Sequence, residues 1–344
     1  MGPTHNFRMR DVAARCGVAE STVSHVLNNT KFVAPETRQR VEHALKEMNF
    51  HRDSHARRLA RGHSNFLGLI ISDIENPFYP GVIKGFETAA LERGYEILLC
   101  TTNYDPARTE QAFRKMIENK SPGVAVLTSN ADPAMQQYLA SHSVASVFLE
   151  SGGASRLKAD IHLDFEHGAG AAVNYLHHLG HRDFALIAGP QDRASHRSYR
   201  LTVEAVLRPH GLEAQIVEGG NDVAGGERAV QSLLALARFP TAILCSNDLT
   251  AMGAIRALKL AGRRVPEDVS VVGADDIPFA ELTQPQLTTV KMPRERLGRL
   301  AMEMLGEVMN EAAAEGRDAV LETELVIRES TGIAPRHGFG NREI

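Results

Sequence analysis

The sequence predicts a small all-helical head followed by a larger two-lobed α/β core of the Rossmann-like type. Apolar residues recur at helical spacing in the first 50 residues, whereas short Val/Ile/Leu-rich runs alternate with helical patterns from residue 66 onward. The 344 residues are also more than one hydrophobic core usually serves. Residues 1–63 hold 11 Lys and Arg against 6 Asp and Glu, which leaves 27 basic and 36 acidic residues for the rest. This asymmetry predicts a basic module that meets a polyanion, joined to an acidic body, and the alternative is chance clustering of charge on a solvated surface.

Composition excludes several classes of protein. Hydrophobic residues make up 43% and charged residues 23% of the chain, which is an ordinary globular profile. Cys16, Cys100 and Cys245 lie far apart without a CxxC pair, so we expect a reducing compartment and no zinc site of the cysteine type. The longest apolar runs are too short to cross a bilayer, and the first residues do not resemble a signal peptide. We therefore expect a cytoplasmic protein with no membrane partner.

Two short helices joined by a tight turn are predicted at the start of the head. Residues 9–16 place four apolar side chains at i, i+3, i+4 and i+7, and Gly17 then accepts the positive φ of a helix end. Residues 20–27 form a second helix with Val and Leu on one face and Ser, Thr and His on the other. Pro35 begins a third helix whose apolar residues can cover the pair.

The polar face of the second helix fits the major groove of a DNA duplex. Its short hydroxyl and imidazole side chains can bond to phosphate oxygens and base edges, and the groove admits one helix. A helical hairpin that only binds another protein is the alternative at this point.

The pattern D-V-A-x-x-x-G-V-x-x-x-T-V-S-x-V-L-N at residues 11–28 resembles the helix-turn-helix of the lactose-repressor/galactose-repressor (LacI/GalR) family of bacterial transcription regulators. The resemblance implies that Ser21 and His25 face bases. It also implies that three further side chains hold phosphates: Thr22, Ser24 and Asn28.

Two residues of the head depart from the family pattern. Glu20 lies where the family often reads a base, and its carboxylate could either accept from cytosine N4 or be repelled by the duplex. Ala19 stands where Ser is usual as the N-cap, which should cost the second helix about 1 kcal/mol. Glu20 offsets part of this loss at the positive end of the helix.

Residues 51–64 resemble the hinge helix and linker of the family, with Arg57 and Leu59 in its pattern. In relatives this segment folds on the operator, and paired leucines wedge into the minor groove. Leu59 would supply the wedge, and Arg57 would contact the backbone. Without DNA the stretch is a basic linker, because so few residues cannot sustain a helix in water.

The remaining chain predicts two parallel sheets covered by helices on both faces. Seven continuous apolar strands alternate with helices in two tandem series, which indicates two Rossmann-like lobes. The resemblance continues here, since the same core is similar to periplasmic sugar-binding proteins. Beyond the head at 1–50, the family layout implies a first lobe at about 65–162 plus 292–320, a second at about 163–291 plus 321–335, and a flexible tail at 336–344.

Candidate ligand-binding residues follow the predicted strands, because ligands of open α/β sheets bind outside the carboxyl ends of strands. By resemblance, Asp275 accepts from ligand hydroxyls and Asn247 offers an amide nearby. Arg200 matches the family arginine if one residue is inserted before it, whereas Arg197 matches without that gap.

Three further candidates follow two other strands. Phe78 and Tyr79 could stack on a ligand ring, and Glu150 stands where relatives often have Asp. The alternative for all these candidates is loop capping or core packing. The chain has no Trp, so an indole platform for a sugar is absent.

Motifs of enzymes and cofactor sites are missing from the sequence. We find no GxGxxG, GxxxxGK[ST], GxSxG or HExxH pattern, so we expect no catalytic residues, no cofactor and no enzyme activity. His177, His178 and His181 cluster, but in relatives this stretch ends a helix, so we expect capping and no metal site.

These observations predict a DNA-binding transcription regulator, and specifically a repressor. We expect a homodimer on a near-palindromic double-stranded operator, because the residues after Arg328 show no leucine heptad for a tetramer. A small ligand between the lobes would set operator affinity, with a sugar or sugar derivative expected first and a nucleobase second. The alternative is a solute-binding or receptor protein that does not bind DNA.

Overall fold

The computed structural model of the chain describes residues 7–48, 50, 64–128, 133–310 and 316–336. Contacts divide the chain into two compact units, Met1–Gly62 and His63–Ile344. The predicted hinge segment, with Arg57 and Leu59, and the tail from residue 337 lie outside the described residues.

Three helices form the head: α1 (Met9–Cys16), α2 (Glu20–Asn28) and α3 (Pro35–Glu47). They pack around Val12, Val23 and Val41, none of which has exposed surface. Gly17 ends α1 with φ of 63°, in the left-handed region that glycine adopts without steric cost. The helical periodicity of the sequence therefore predicted these helices correctly.

The ends of the head helices are fixed unequally. The backbone N–H of Arg8 donates to the Asp11 carboxylate at 2.7 Å, which satisfies one free donor at the start of α1. No side chain caps α2 at Ala19, as the sequence predicted. At its other end, Asn29 is left-handed and its Oδ1 accepts from Arg38 at 2.9 Å, which ties α2 to α3.

The first lobe contains a parallel six-stranded sheet in the order β11-β5-β4-β3-β1-β2. Its strands are β1 (Phe66–Ile71), β2 (Glu96–Thr101), β3 (Gly123–Leu127), β4 (Ala145–Leu149), β5 (Lys158–Asp164) and β11 (Asp318–Glu322). Its helices are α4 (Tyr79–Leu91), α5 (Pro106–Glu118), α6 (Pro133–Ser141) and α11 (Arg294–Met309). Both β3 and β4 are buried throughout, as continuous apolar strands require.

The second lobe repeats this architecture in the order β12-β10-β9-β8-β6-β7, with only β12 antiparallel to its neighbour. Its strands are β6 (Phe184–Ala188), β7 (Ala214–Glu218), β8 (Ala242–Cys245), β9 (Ser270–Asp275), β10 (Thr288–Lys291) and β12 (Glu324–Val326). Its helices are α7 (Phe165–His178), α8 (Ala194–Leu207), α9 (Val223–Leu234) and α10 (Asp248–Leu260).

The chain passes between the two sheets at three places in the described residues: after β5, after β10 and after β11. Parallel pairing of β5 with β11 continues to Asp164 and Glu322, two residues past the expected lobe boundaries at 162 and 320. The first sheet therefore extends to the point where each strand leaves it. Among the described helices, none is long and apolar enough to cross a membrane.

Close helix packing in the first lobe depends on two glycines. A Cβ atom on Gly85 of α4 would overlap the carbonyl oxygen of Glu295, and one on Gly298 of α11 would overlap that of Val82. Absence of side chains at both positions lets the backbones of α4 and α11 touch. By contrast, Gly306 on α11 has only the distal Nε of Arg93 near its missing Cβ, at 4.0 Å.

We predict opposite effects for two glycine substitutions on this one helix. Gly298→Ala should lower the free energy of unfolding by about 1–3 kcal/mol, because the helices must separate to admit a methyl group. Gly306→Ala is the matched control and should raise it by up to about 1 kcal/mol, since alanine favours the helix. Thermal or urea unfolding of both variants tests this, and equal effects would contradict the packing.

Candidate functional sites

The outer surface of α2 carries the residues predicted to meet DNA. Glu20 and Ser21 are exposed, and Thr22, Ser24 and His25 are half-buried. Their alternation with the buried Val23 and Val26 leaves one side of the helix polar. The side chain of Asn28 lies outside the described structure, as do Arg57 and Leu59 of the hinge.

His25 is held in place by the residues that follow α2. Its Nδ1 lies 3.0 Å from the hydroxyl oxygen of Thr30, in a geometry suited to a hydrogen bond. This contact leaves Nε2 of the imidazole as the atom available to a base edge. Thr30 also borders a shallow surface groove that Lys31 and Arg38 line. Their positive charge suits a neighbouring phosphate.

A cavity lies where the carboxyl ends of the two sheets meet in the core. Phe78 and Tyr104 reach it from loops after β1 and β2, while Arg193 and Ser246 reach it from loops after β6 and β8. The cavity is partly open to solvent. Its position is the one expected for a ligand of two opposed Rossmann-like lobes.

Four residues predicted from sequence line this cavity: Phe78, Tyr79, Asn247 and Asp275. The rings of Phe78 and Tyr79 pack edge to face, with centroids 5.2 Å apart. Asn247 also has a structural role, because its Oδ1 accepts from the backbone N–H of Thr250 and caps α10. Its amide donates to the side-chain oxygen of Asn221, so this one side chain both caps the helix and borders the cavity.

Three other predicted residues do not line the cavity, and their placement corrects the expectation. Arg200 forms an ion pair with Glu204 one turn along α8, at 2.8 Å. Arg197 turns back to donate to the carbonyl of Gln191. Glu150 accepts from the backbone N–H of Leu163 at 2.6 Å, so its carboxylate braces the first sheet.

Arg193 supplies the cavity cation that the sequence assigned to Arg200 or Arg197. Its guanidinium carbon lies 3.5 Å from the ring centroid of Tyr104, a cation–π contact across the two lobes. Its Nε and Nη1 are buried without a hydrogen-bond partner in the described structure, as are the hydroxyls of Tyr199 and Ser246. Unpartnered buried polar groups are costly, so this set of donors is suited to a polar ligand.

His196 and Asn221 were also not predicted, and both border the cavity. Asn221 donates to the Tyr104 hydroxyl at 3.0 Å, which is a second contact between the lobes. Burial lowers the pKa of His196 to about 4, and the charge of Arg193 acts in the same direction. The imidazole is therefore neutral at pH 7 and offers one donor and one acceptor. Only the lack of a side chain at Gly189 leaves room for this ring.

Two buried carboxyl groups of the second lobe interact near the cavity. Burial raises the pKa of Asp275 well above its usual range, and the nearby Asp248 carboxylate raises it further. Burial also raises the pKa of Asp248 to about 7, although Thr289 and the backbone N–H of Ile277 donate to it. Asp275 and Asp276 both have positive φ, a strained conformation that is often found at binding sites.

The histidines considered for a metal site have separate structural roles. His178 lies 2.7 Å from the Asn174 carbonyl oxygen near the end of α7, in agreement with a helix-end role. His181 is fully buried and bonds instead to Thr241 and to the carbonyl of Gly332. His177 stacks on His210 with centroids 4.0 Å apart. Their ring nitrogens do not converge on one point.

Comparisons with known proteins agree with this architecture. Residues 8–53 match the family described as bacterial regulatory proteins, lacI family, and residues 173–331 match a periplasmic binding protein-like domain. An HTH-type transcriptional repressor, PurR of Erwinia tasmaniensis, is 34% identical over 337 residues, which cover 96% of this chain and 98% of that protein. PurR of Proteus mirabilis is 33% identical over 334 residues, covering 95% and 97%.

Solved structures give the same result. The lac repressor dimer bound to operator and the anti-inducer ONPF superposes with a TM-score of 0.87 at 26% identity, covering 95% of this chain and 99% of that chain. A complex of the regulator CelR with cellobiose has a TM-score of 0.72 at 30% identity, covering 94% and 99%. The relatives are DNA-binding repressors. This finding argues against both an enzyme and a solute receptor that does not bind DNA. The chain belongs to the LacI family and is a DNA-binding transcriptional repressor.

Proposed function

We propose that the protein represses transcription as a cytoplasmic homodimer on a near-palindromic operator, and that a small polar ligand in the cavity controls operator affinity. The observation that carries the ligand proposal is the buried guanidinium of Arg193, whose Nε and Nη1 have no hydrogen-bond partner among the described residues. A ligand oxygen or ring nitrogen would satisfy these donors. The lac repressor dimer on its operator supports the proposed assembly.

The polar surface of α2 supports direct reading of bases by Ser21 and His25. Two copies related by a twofold axis would place these helices in successive major grooves, with the hinge segments between them. Glu20 is exposed at the start of α2, where it could accept from a cytosine amino group or disfavour other bases. The resemblance assigns Leu59 to the minor groove and Arg57 to the DNA backbone beside it.

The cavity supports a sugar or sugar derivative as the ligand. Asp275, Asn221 and the Ser246 hydroxyl offer acceptors and donors within one small space, as a polyhydroxylated ring requires. The CelR relative is a cellobiose complex, which adds support for this class. A nucleobase is the second candidate, because the aromatic rings of Phe78 and Tyr79 border the same space and can pack on a planar ring.

Ligand control of DNA binding follows from the contacts between lobes. Arg193 and Asn221 of the second lobe touch Tyr104 of the first, so a ligand that changes these contacts changes the lobe arrangement that is favoured. In a dimer, the angle between lobes would set how closely the two hinge segments approach each other. The ligand would thereby alter operator affinity without touching the DNA.

We predict that two head substitutions affect DNA binding in different ways. His25→Ala should relax specificity at one base pair of each half-site, at a cost of about 1–3 kcal/mol on the preferred sequence. Arg57→Ala should weaken binding to all sequences alike and reduce the slope of log affinity against log salt by about 1. Fluorescence anisotropy on an operator library measures both. Arg114→Ala changes an exposed arginine on α5 of the first lobe and serves as the control. Identical profiles for His25→Ala and Arg57→Ala would contradict the assignment.

We predict that Arg193→Ala shifts the ligand response to higher ligand concentrations, whereas Arg200→Ala leaves it unchanged. Loss of a charged hydrogen-bond donor should weaken ligand binding by about 1.5–3 kcal/mol. The two variants remove the same side chain from the same region, but only one borders the cavity. A thermal-shift screen of sugars and nucleobases finds the ligand first, since 100 times its dissociation constant stabilises the fold by about 2.7 kcal/mol. An unchanged response in Arg193→Ala would place the ligand elsewhere.

We predict that Asp248→Asn flattens part of the pH dependence of stability. The folded-state pKa of about 7 lies above the ordinary value of 3.8, so the folded state holds a proton that the unfolded state loses. This contribution to stability is present below pH 4 and is lost as the pH rises through 7, at about 1.4 kcal/mol per pKa unit at most. Wild-type protein should therefore lose more stability than Asp248→Asn between pH 5 and pH 8.

Unfolding midpoints at several pH values test the role of Asp248. His196 titrates in the opposite sense between its lowered pKa of about 4 and the ordinary 6.5, and it is present in both proteins, so its effect cancels in the comparison. Parallel profiles for the two proteins would show that Asp248 is ionised throughout.

A further inference from the structure

A cluster of side chains on the first sheet, outside the ligand cavity, has the composition of a metal site. Asp160 and His162 lie on β5 two residues apart, so both point to the same side of the sheet. Asp318 of β11 pairs directly with Asp160 in the parallel ladder. We call these three residues the β5–β11 cluster. One ligand atom from each of them lies within 4.8 Å of the other two.

The distances between the imidazole nitrogen and the carboxylate oxygens of the β5–β11 cluster are those that a shared ion requires. Nε2 of His162 lies 3.7 Å from Oδ2 of Asp160 and 3.7 Å from Oδ1 of Asp318. Both distances are too long for a direct hydrogen bond. Ligands bound at about 2.1 Å around one tetrahedral or trigonal metal are separated by about 3.4–3.7 Å. Oδ1 of Asp318 accepts from the backbone N–H of Ala154. The imidazole nitrogen and the two carboxylate oxygens do not bond to each other, and they lie close enough for one ion to bridge them.

Among the described residues, no Lys or Arg balances the negative charge of the β5–β11 cluster, and His162 is the basic side chain within it. Asp160 has no exposed surface, and no Lys or Arg in the described ranges forms an ion pair with Asp160 or Asp318. Backbone N–H groups of Ser151 and Gly153 donate to Asp160, which orients the carboxylate but leaves its full negative charge in place. A divalent cation would neutralise this charge.

The surroundings of His162 match the outer environment of metal-bound histidines. Its second ring nitrogen, Nδ1, lies 3.9 Å from Oε2 of Glu150, and a carboxylate on that side commonly orients a histidine ligand. The Ser151 hydroxyl is buried without a partner in the loop whose backbone donates to Asp160. The side chains of His162 and Asp318 are 33% and 52% exposed, so a hydrated ion can enter from solvent.

We propose that Asp160, His162 and Asp318 bind one divalent transition-metal ion of the zinc type. One imidazole with two carboxylates suits Zn²⁺ better than Ca²⁺ or Mg²⁺, which prefer all-oxygen sites. The ion would join β5 to β11, the two strands that lead into two of the three lobe crossings. The sequence predicted no metal site because Asp318 lies far along the chain and meets Asp160 only through the strand register.

Zn²⁺ binding to full-length, tag-free protein that has been stripped with a chelator tests the proposal. Isothermal titration should show one Zn²⁺ per chain, and Co²⁺ should give the visible absorption of a low-coordinate site with a nitrogen ligand. His162→Gln and Asp318→Asn should each weaken this binding by at least about 10-fold. His142→Gln, an exposed histidine of the same lobe, is the matched control and should bind as the wild type does.

Two further variants test whether other histidines bind the Zn²⁺, and operator binding tests whether a variant has lost its fold. His177→Gln and His210→Gln should leave the stoichiometry unchanged if the stacked pair is not the site. Asp318 is half-exposed, so Asp318→Asn should fold and bind operator DNA even if His162→Gln does not fold. Absence of saturable Zn²⁺ binding to the wild type, or equal binding by Asp318→Asn, would overturn the proposal.

Discussion

The carboxyl ends of both sheets border one cavity, and the three crossings of the chain in the described residues keep the sheets together, so this arrangement decides which side chains can meet a ligand. Most cavity residues discussed above follow or end a strand of one lobe or the other, and two more, His196 and Tyr199, lie on α8. The crossings keep the lobes joined. A ligand that fills the cavity would therefore act between the lobes through a few contacts, chiefly those of Tyr104 with Arg193 and Asn221.

The unpartnered polar groups of the cavity favour a ligand that can bond to them. A buried guanidinium without hydrogen-bond partners loses its hydration, and the cation–π contact with Tyr104 recovers only part of that loss. The unpartnered hydroxyls of Tyr199 and Ser246 add to the cost. Binding of a ligand with matching acceptors and donors would satisfy these groups together.

The sequence was sufficient where local chemistry decides the structure and insufficient where several partners compete. Continuous apolar strands and the glycine at position 17 predicted the elements correctly, and Phe78 and Asp275 were placed because they follow strands. Position after a strand could not decide which of Arg193, Arg197 and Arg200 borders the cavity, because all three follow β6. Glu204, one turn after Arg200, captures that side chain, and this leaves Arg193, in the loop before α8, to border the cavity.

Reciprocity between DNA and ligand tests the central claim most directly. The affinity of the full-length repressor for its cavity ligand should be measured by titration calorimetry with and without saturating operator duplex, at one salt concentration. The account predicts that operator changes ligand affinity by the same factor, and in the same direction, as the ligand changes operator affinity. A ligand affinity that is identical with and without operator would contradict it, even if both molecules bind the protein.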